Sequence, residues 1–152
     1  RTTTDWNNVV REALIWLAAE RQRRRVEMQV IQEDLPPLFI EPNELFGVVV
    51  TILRVAMEGL GPSGGLIEVR TVTCDDEECF QTRVRVPRAP LREKVIGIVE
   101  PASGAPDELS PLHFEWGLAQ ETIEMQYGGD LDMLVEDGAL EFVLELPLEM
   151  GR

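Results

Sequence analysis

Residues 44–60, ELFGVVVTILRVAMEGL, have the most regular apolar pattern of the chain and indicate its central element of secondary structure. Apolar side chains recur there at spacings of three and four residues, which is the repeat of one helix face. They are Leu45, Val49, Ile52, Leu53, Ala56, Met57 and Leu60. The preceding Glu41-Pro42-Asn43 places a proline at the first helical position, where its missing N–H is tolerated. The stretch therefore predicts a long helix with a broad buried stripe.

The segments around this helix have the patterns of helices and strands. Upstream, Thr4-Asp5 can cap a helix that starts at Trp6. Segments typical of strands are residues 26–32, 66–74, 79–86 and 94–100. Toward the C-terminus we expect a short helix and then a hairpin that turns near Asp137-Gly138, over residues 117–126 and 131–148. This order predicts a two-layer α/β sandwich, in which a mixed, mostly antiparallel sheet carries helices on one face.

Length, composition and charge restrict the class of protein. With 152 residues, 44% of them hydrophobic, the chain can form one domain with one core over residues 1–152. The formal net charge of -14 argues against a nucleic-acid partner, because phosphates would be repelled. No apolar run approaches the roughly 20 residues of a membrane helix. We therefore expect a cytoplasmic chain without direct membrane contact.

Cys74 and Cys79 flank the acidic residues 75–78, between two predicted strands. A hairpin there would bring the cysteines together, so a disulfide or half of a metal site is conceivable. We expect reduced thiols instead, because a cytosolic setting keeps cysteines reduced. No second Cys/His pair is present to complete a zinc site, so the sequence predicts no metal at these cysteines.

Several stretches, taken in order, resemble the catalytic, ATP-binding domain of sensor histidine kinases, which has the Bergerat ATP-binding fold. Residues 4–60 are similar to the opening helix, strand and asparagine-box helix of that family, and residues 61–71 to the glycine-led strand that follows. Residues 103–114, SGAPDELSPLHF, and residues 117–147 resemble its later motifs and its closing hairpin. The resemblance implies the same fold. Because the chain begins inside the domain's first helix, we expect an excised part of a longer signalling protein.

The residues that bind magnesium in that family are replaced. The resemblance places Val55 at the magnesium-binding asparagine and Thr51 at the asparagine often found one turn earlier. Valine offers no oxygen atom to a hard cation that requires one. Glu58, one turn further on, is the one carboxylate of this helix that could face the site. An ordinary solvated helix residue is an equally good interpretation of Glu58.

The family's Asp-x-Gly-x-Gly turn, which contacts adenine, has two possible matches. We prefer residues 100–104, EPASG, because APDEL follows them as in the family. This match sets Glu100 at the aspartate and Ala102 and Gly104 at the glycines, so a longer acid and an added methyl would crowd the nucleotide. The rival is residues 86–90, VPRAP, which follows a predicted strand but puts valine or arginine at the aspartate. The preferred match requires an additional strand that the family lacks.

The lid and the glycine box also depart from the family. Of the box only Gly117-Leu118 remains, preceded by Glu115 and Trp116. Phe114 stands almost next to the box, so we predict that the lid is nearly absent. Glu115 would direct negative charge toward a triphosphate, whereas a phosphate site normally uses backbone N–H groups.

The remaining residues of this stretch give weaker hypotheses. His113, the single histidine, does not match a phosphoacceptor motif, and we expect it in a loop. We expect Phe114 and Trp116 to fold over a vacant nucleotide cleft, in preference to forming an exposed aromatic patch for a partner.

Two functions of different classes follow from these residues. The first is a degenerate ATP-binding domain of a histidine-kinase-like protein, a regulatory or docking module without a cofactor. The resemblance implies that its partner is a response regulator or the histidine-bearing dimerisation helices of the same protein. The second is an active ATP-dependent histidine kinase domain in which Glu58, Glu100 and Gly104 bind Mg-ATP. A serine-directed kinase similar to anti-sigma factors is a third hypothesis, and it too requires ATP.

Overall fold

The computed structural model describes residues 2–101 and 110–148. Its strands are β1 (Thr2–Thr4), β2 (Val26–Gln32), β3 (Leu38–Ile40), β4 (Gly65–Thr73), β5 (Cys79–Val86), β6 (Asp130–Glu136) and β7 (Ala139–Pro147). Its helices are α1 (Trp6–Trp16), α2 (Ala18–Arg24), α3 (Pro42–Met57), α4 (Arg92–Val99) and α5 (Pro111–Glu121), the last continued by a π-helical turn (Thr122–Gln126). Thus the order of elements is that of a mixed α/β domain.

A five-stranded sheet has the order β2-β4-β5-β7-β6. β2 runs parallel to β4, and the other three pairs are antiparallel. β1 and β3 form a small separate antiparallel sheet. One face of the large sheet is buried and the other carries charged side chains, so the helices pack in a single layer. The predicted two-layer α/β sandwich is confirmed.

The core forms where α1, α3 and α5 cover the sheet. Asp5 caps α1 by accepting a hydrogen bond from the backbone N–H of Asn7, as the sequence predicts. Pro42 opens α3, and all the residues of the predicted apolar stripe are buried. The rings of Trp6 and Phe80 lie 5.3 Å apart between α1 and β5. The long helix of the opening stretch is therefore the central helix of the domain.

Two predicted elements are wrong. Residues 94–100 are not a strand, because α4 occupies Arg92–Val99 and buries Val95 and Ile98 on one face. A short apolar run has too few residues for its period to separate strand from helix. The helix predicted over residues 117–126 begins earlier, at Pro111, with Ser110 as its cap. Its predicted stop is confirmed, since Gly128 has a φ of 66° and follows the π-helical turn.

The prediction of reduced thiols is also wrong, because Cys74 and Cys79 form a disulfide. The β4–β5 hairpin places them on either side of the turn, and the backbone N–H of Cys74 donates to the carbonyl oxygen of Cys79 at 2.9 Å. Their Cα atoms are 5.3 Å apart, within the range that a disulfide spans.

No helix among the described residues has both the length and the apolar character needed to cross a membrane.

Candidate nucleotide site

The described residues among the sequence-predicted site residues do not come together at one site. Thr51 and Leu118 come together in a groove between α3 and α5, about 220 Å³ in volume. The same groove is lined by Glu44 and Glu115, and Thr51 is buried. Two carboxylates at so small an opening make it unfavourable for a triphosphate, which carries the same sign of charge.

Val55, one turn further along α3, is fully buried. The apolar stripe of α3 wraps around the helix at this point, since Val55 is buried together with its neighbours Ala56 and Met57. The position that the resemblance assigns to the magnesium-binding asparagine therefore belongs to the hydrophobic core. It presents no oxygen atom to a hard cation.

Glu58 is the C-terminal cap residue of α3 and joins three helices. Its Oε2 accepts a hydrogen bond from Nη1 of Arg24, at the end of α2, at 2.8 Å. The same oxygen lies 3.4 Å from Nζ of Lys94 in α4. Burial raises the pKa of Glu58, but the hydrogen bond and charge of Arg24, followed by the charge of Lys94, outweigh burial and lower that pKa below its ordinary value.

The environment of Glu58 bears on one of its two interpretations, and its role at a nucleotide site stays a prediction. Glu58 is not a solvated helix residue, because two cations of the protein already neutralise its charge. No local sequence pattern indicates this cluster, since Arg24 and Lys94 lie 34 and 36 residues from Glu58.

The two matches for the adenine turn differ in their structural setting. Glu100 is exposed at the C-terminal cap of α4, so the strand that the preferred match requires is replaced by a helix. Ala102 and Gly104 lie outside the described residues. The rival match begins at Val86, the last residue of β5, and is therefore the one that follows a strand. It carries Val86 or Arg88 at the position of the family's aspartate.

The rival turn is held against the end of α3 and against the β6–β7 hairpin. The backbone N–H of Leu91 donates to the carbonyl oxygen of Gly59, and that of Ala89 to Gly138, each at 3.0 Å. Beside the turn is a cavity of about 590 Å³, lined mainly by apolar atoms and by Arg88. It lies between the turn and the glycine-rich loop of residues 61–65, a location that the sequence did not indicate.

Gly117 is the seventh residue of α5, and Leu118 follows it on the exposed surface. Only the first few N–H groups of a helix are free to bind an anion, so the N–H of Gly117 belongs to the helical hydrogen-bond ladder. Since the described part of the chain resumes at residue 110, the predicted absence of a lid stays a prediction.

The expectations for the residues around Gly117 are wrong. His113 lies in α5 instead of a loop, and its Nδ1 is 2.8 Å from the carbonyl oxygen of Ile98. Because a carbonyl oxygen only accepts, Nδ1 carries the hydrogen. Trp116 is buried against Phe142 of β7, with ring centroids 5.5 Å apart, and Phe114 is exposed. The two aromatic residues therefore point to opposite sides of α5 and do not close a cleft together.

Known proteins similar to this chain include one relative with partial sequence similarity and several solved structures of the same fold. No protein-family model matches the chain. Among curated proteins, sporulation kinase E of Bacillus subtilis (strain 168) is 34% identical over 93 residues, which are 60% of this chain and 11% of that protein. The chain therefore spans about a tenth of the length of that relative.

Solved structures show the same fold across the whole chain. The catalytic domain of histidine kinase ThkA, in a nucleotide-free form, has a TM-score of 0.74 and 17% identity, covering 99% of this chain and 98% of that one. The mycobacterial sensor histidine kinase MprB has a TM-score of 0.72 and 16% identity over 99% of both chains. ThkA in complex with the response regulator TrrA has a TM-score of 0.73 and 16% identity, over 97% of this chain and 42% of that one. This chain thus has the fold of histidine kinase catalytic domains, as its resemblance implies.

Proposed function

We propose that this chain is a nucleotide-free domain of a histidine-kinase-like signalling protein and acts as a regulatory or docking module. The observation that carries the proposal is the complete burial of Val55, a residue without a polar atom, at the position assigned to the magnesium-binding asparagine. Phosphoryl transfer depends on metal ions that position and neutralise the phosphates. A domain that cannot hold the metal there has lost the main source of catalysis in this fold.

Three further features support weak nucleotide binding. Glu58 is paired with Arg24 and Lys94, the groove beside Thr51 is acidic, and neither match for the adenine turn has the aspartate that the resemblance implies. Each lost hydrogen bond to a charged group costs roughly 1.5–3 kcal/mol. The loss of two such hydrogen bonds would weaken nucleotide binding by roughly two to four powers of ten.

The proposed partner is a response regulator or the histidine-bearing dimerisation helices of a longer protein that contains this domain. The solved complex of ThkA with TrrA supports the first choice, because a kinase with the same fold is seen there with a response regulator. A cytoplasmic location and the absence of a bound cofactor belong to the same proposal.

The alternative is an active histidine kinase domain, and the 34% identity to a sporulation kinase favours it. In that case Glu58 would have to give up Arg24 and Lys94 to bind magnesium, and Glu100 would have to contact adenine from the end of α4. The two functions therefore differ in whether magnesium-dependent nucleotide binding exists.

Isothermal titration of the purified domain with ADP and with a non-hydrolysable ATP analogue, with and without magnesium, tests the proposal. We expect no binding up to millimolar nucleotide. Magnesium-dependent binding at micromolar concentration would overturn the proposal. If Glu58→Gln then abolished the magnesium dependence while Glu93→Gln left it intact, Glu58 would be the metal ligand of an active kinase. Glu93 is a suitable control because it is an exposed acid in the first turn of α4.

A further inference from the structure

The β4–β5 hairpin ends in a pair of cysteines that the proposed function does not use. Cys74 follows β4 and Cys79 opens β5, and both side chains are half-buried. Between them, residues 75–78 form an exposed turn of four acidic residues. The cysteine side chains are therefore accessible to an ion or a reductant from solvent.

A third candidate ligand lies on a strand that is distant in sequence. Glu145 of β7 pairs with Gln81 of β5 in the sheet register, so its side chain lies on the open face beside the cysteines. Its Oε1 is 3.9 Å from Sγ of Cys74 and accepts a hydrogen bond from Nε2 of Gln81 at 2.9 Å. The two sulfur atoms and a carboxylate oxygen of Glu145 all lie within 4.8 Å of one another.

These three groups match the ligand preferences of one class of metal ion. Zinc-class cations bind thiolates at about 2.3 Å and carboxylate oxygens at about 2.0–2.2 Å, with tetrahedral geometry. That geometry puts two sulfur ligands about 3.8 Å apart, a spacing that two cysteines on adjacent strands can reach by side-chain rotation. Three protein ligands would leave the fourth position to water. The acidic residues 75–78 add a favourable electrostatic field for a cation.

We propose that Cys74, Cys79 and Glu145 form a redox-gated site for a thiophilic divalent cation such as zinc. In the oxidised chain the sulfur atoms are bonded to each other and are not thiolates, so the site is closed. A dithiol reductant opens it: the reductant supplies two electrons and two protons, the S–S bond breaks, and the reductant itself becomes a disulfide. The cation then displaces the two thiol protons and binds the thiolates. Disulfide and metal exclude each other.

The site is independent of the nucleotide groove. It lies at the tip of the β4–β5 hairpin on the open face of the sheet, whereas α3 and α5 cover the opposite face. The sequence predicts no metal here because no second Cys/His pair exists, and only the sheet register brings Glu145 to the cysteines.

Titration of the reduced chain with Cd²⁺ under anaerobic conditions, after removal of the reductant, tests the proposal. Thiolate-to-cadmium charge transfer gives an ultraviolet absorption band that reports sulfur ligation directly. We expect one Cd²⁺ per chain with this band, and no band in the oxidised chain or in the Cys74→Ser/Cys79→Ser variant. Circular dichroism before the titration compares the sheet content of each variant with that of the oxidised chain.

Glu145→Gln separates this site from a simple pair of thiols. We expect the substitution to weaken Cd²⁺ binding at least about tenfold, because removing even a residue that hydrogen-bonds a metal ligand lowers metal affinity by about that factor. Glu141→Gln is the matched control, because Glu141 lies on the same strand and face but pairs with Arg83 at 3.1 Å. It should leave the affinity unchanged. A reduced chain without a charge-transfer band, or equal affinity in Glu145→Gln and in the unmodified chain, would overturn the proposal.

Discussion

At the residue scale, Val55 and Glu58 determine what the C-terminal half of α3 can bind. They lie three positions apart, so the same helix turn presents both. Val55 is enclosed by the core, and Glu58 is enclosed by two cations of the protein. Both residues therefore stabilise the fold where the family resemblance implies a ligand. The pairing of Glu58 also has a measurable dependence on pH.

Glu58→Gln should reduce stability at neutral pH and have little effect in acid. The folded chain lowers the pKa of Glu58, so its ion pairs stabilise the fold above the ordinary glutamate pKa of about 4.3 and are lost as the pH falls through the lowered value. We expect a loss of about 1 kcal/mol near pH 7, because the pair is only partly shielded from water. Urea denaturation from pH 7 to pH 3 measures it. A deficit that is the same at every pH would contradict this account of Glu58.

At the element scale, the early start of α5 places the remaining glycine of the glycine box inside a helix, where its backbone N–H is not free to bind phosphate. The helix begins with Ser110 and Pro111, which provide the cap and the favoured first residue. Gly117 consequently sits in the helix interior, with nothing within 4 Å of the place where a Cβ would stand. Gly129, after the π-helical turn, has the opposite setting, because a Cβ there would collide with the carbonyl oxygen of Glu145.

Gly117→Ala should stabilise the domain, since glycine in a helix interior costs about 0.8–1 kcal/mol relative to alanine. For a domain of this size we expect the melting temperature to rise by about 2–4 °C. Gly129→Ala should instead lower stability by about 1–3 kcal/mol, because the added methyl must displace the β7 backbone. Thermal unfolding followed by circular dichroism compares the two. Destabilisation by Gly117→Ala would mean that α5 does not extend through this residue.

At the scale of the whole molecule, a chain of hydrogen bonds, buried except at its last member, links α1 to three strands. Nε1 of Trp6 donates to Oγ1 of Thr82 at 2.9 Å, and the Oγ1 atoms of Thr82 and Thr71 are 2.7 Å apart. Oγ1 of Thr71 then donates to Oε1 of Gln32 at 3.1 Å. Because the hydroxyl hydrogen of Thr71 is donated to Gln32, the hydrogen bond between the two threonines is donated by Thr82. Each of the two hydroxyl groups therefore donates one hydrogen bond. The network fixes the position of α1 over β5, β4 and β2.

Thr82→Val should lower the free energy of unfolding by about 1–3 kcal/mol, because it keeps the volume but leaves the indole N–H of Trp6 buried without an acceptor. Thr82→Ser keeps the hydroxyl and should cost only about 1 kcal/mol for the lost methyl. Denaturant unfolding measures both. In a Trp6→Phe background the cost of Thr82→Val should fall, since the donor is gone. If that cost did not change, the hydrogen bond would contribute nothing.

Elements whose sequence signals are local could be predicted from the amino-acid sequence. The stripe of α3, the cap of α1, the strand segments of β2 and β5, and the closing hairpin follow from residues within a few positions of one another. The turn at Asp137-Gly138 is confirmed, with φ values of 42° and 85° that favour the glycine. Together with their order, these elements were enough to predict the two-layer fold and its resemblance to histidine kinase catalytic domains.

Elements and contacts that depend on residues far apart in sequence could not be predicted, because packing and strand pairing determine them. The run of residues 94–100 becomes a helix because Val95 and Ile98 are buried on one face of α4, and its short length gave no reliable period. The strand β1 exists because β3 pairs with it, since three threonines alone carry little signal. The partners of Glu58 and the approach of Glu145 to the cysteines follow from packing and strand register, which bring distant residues together.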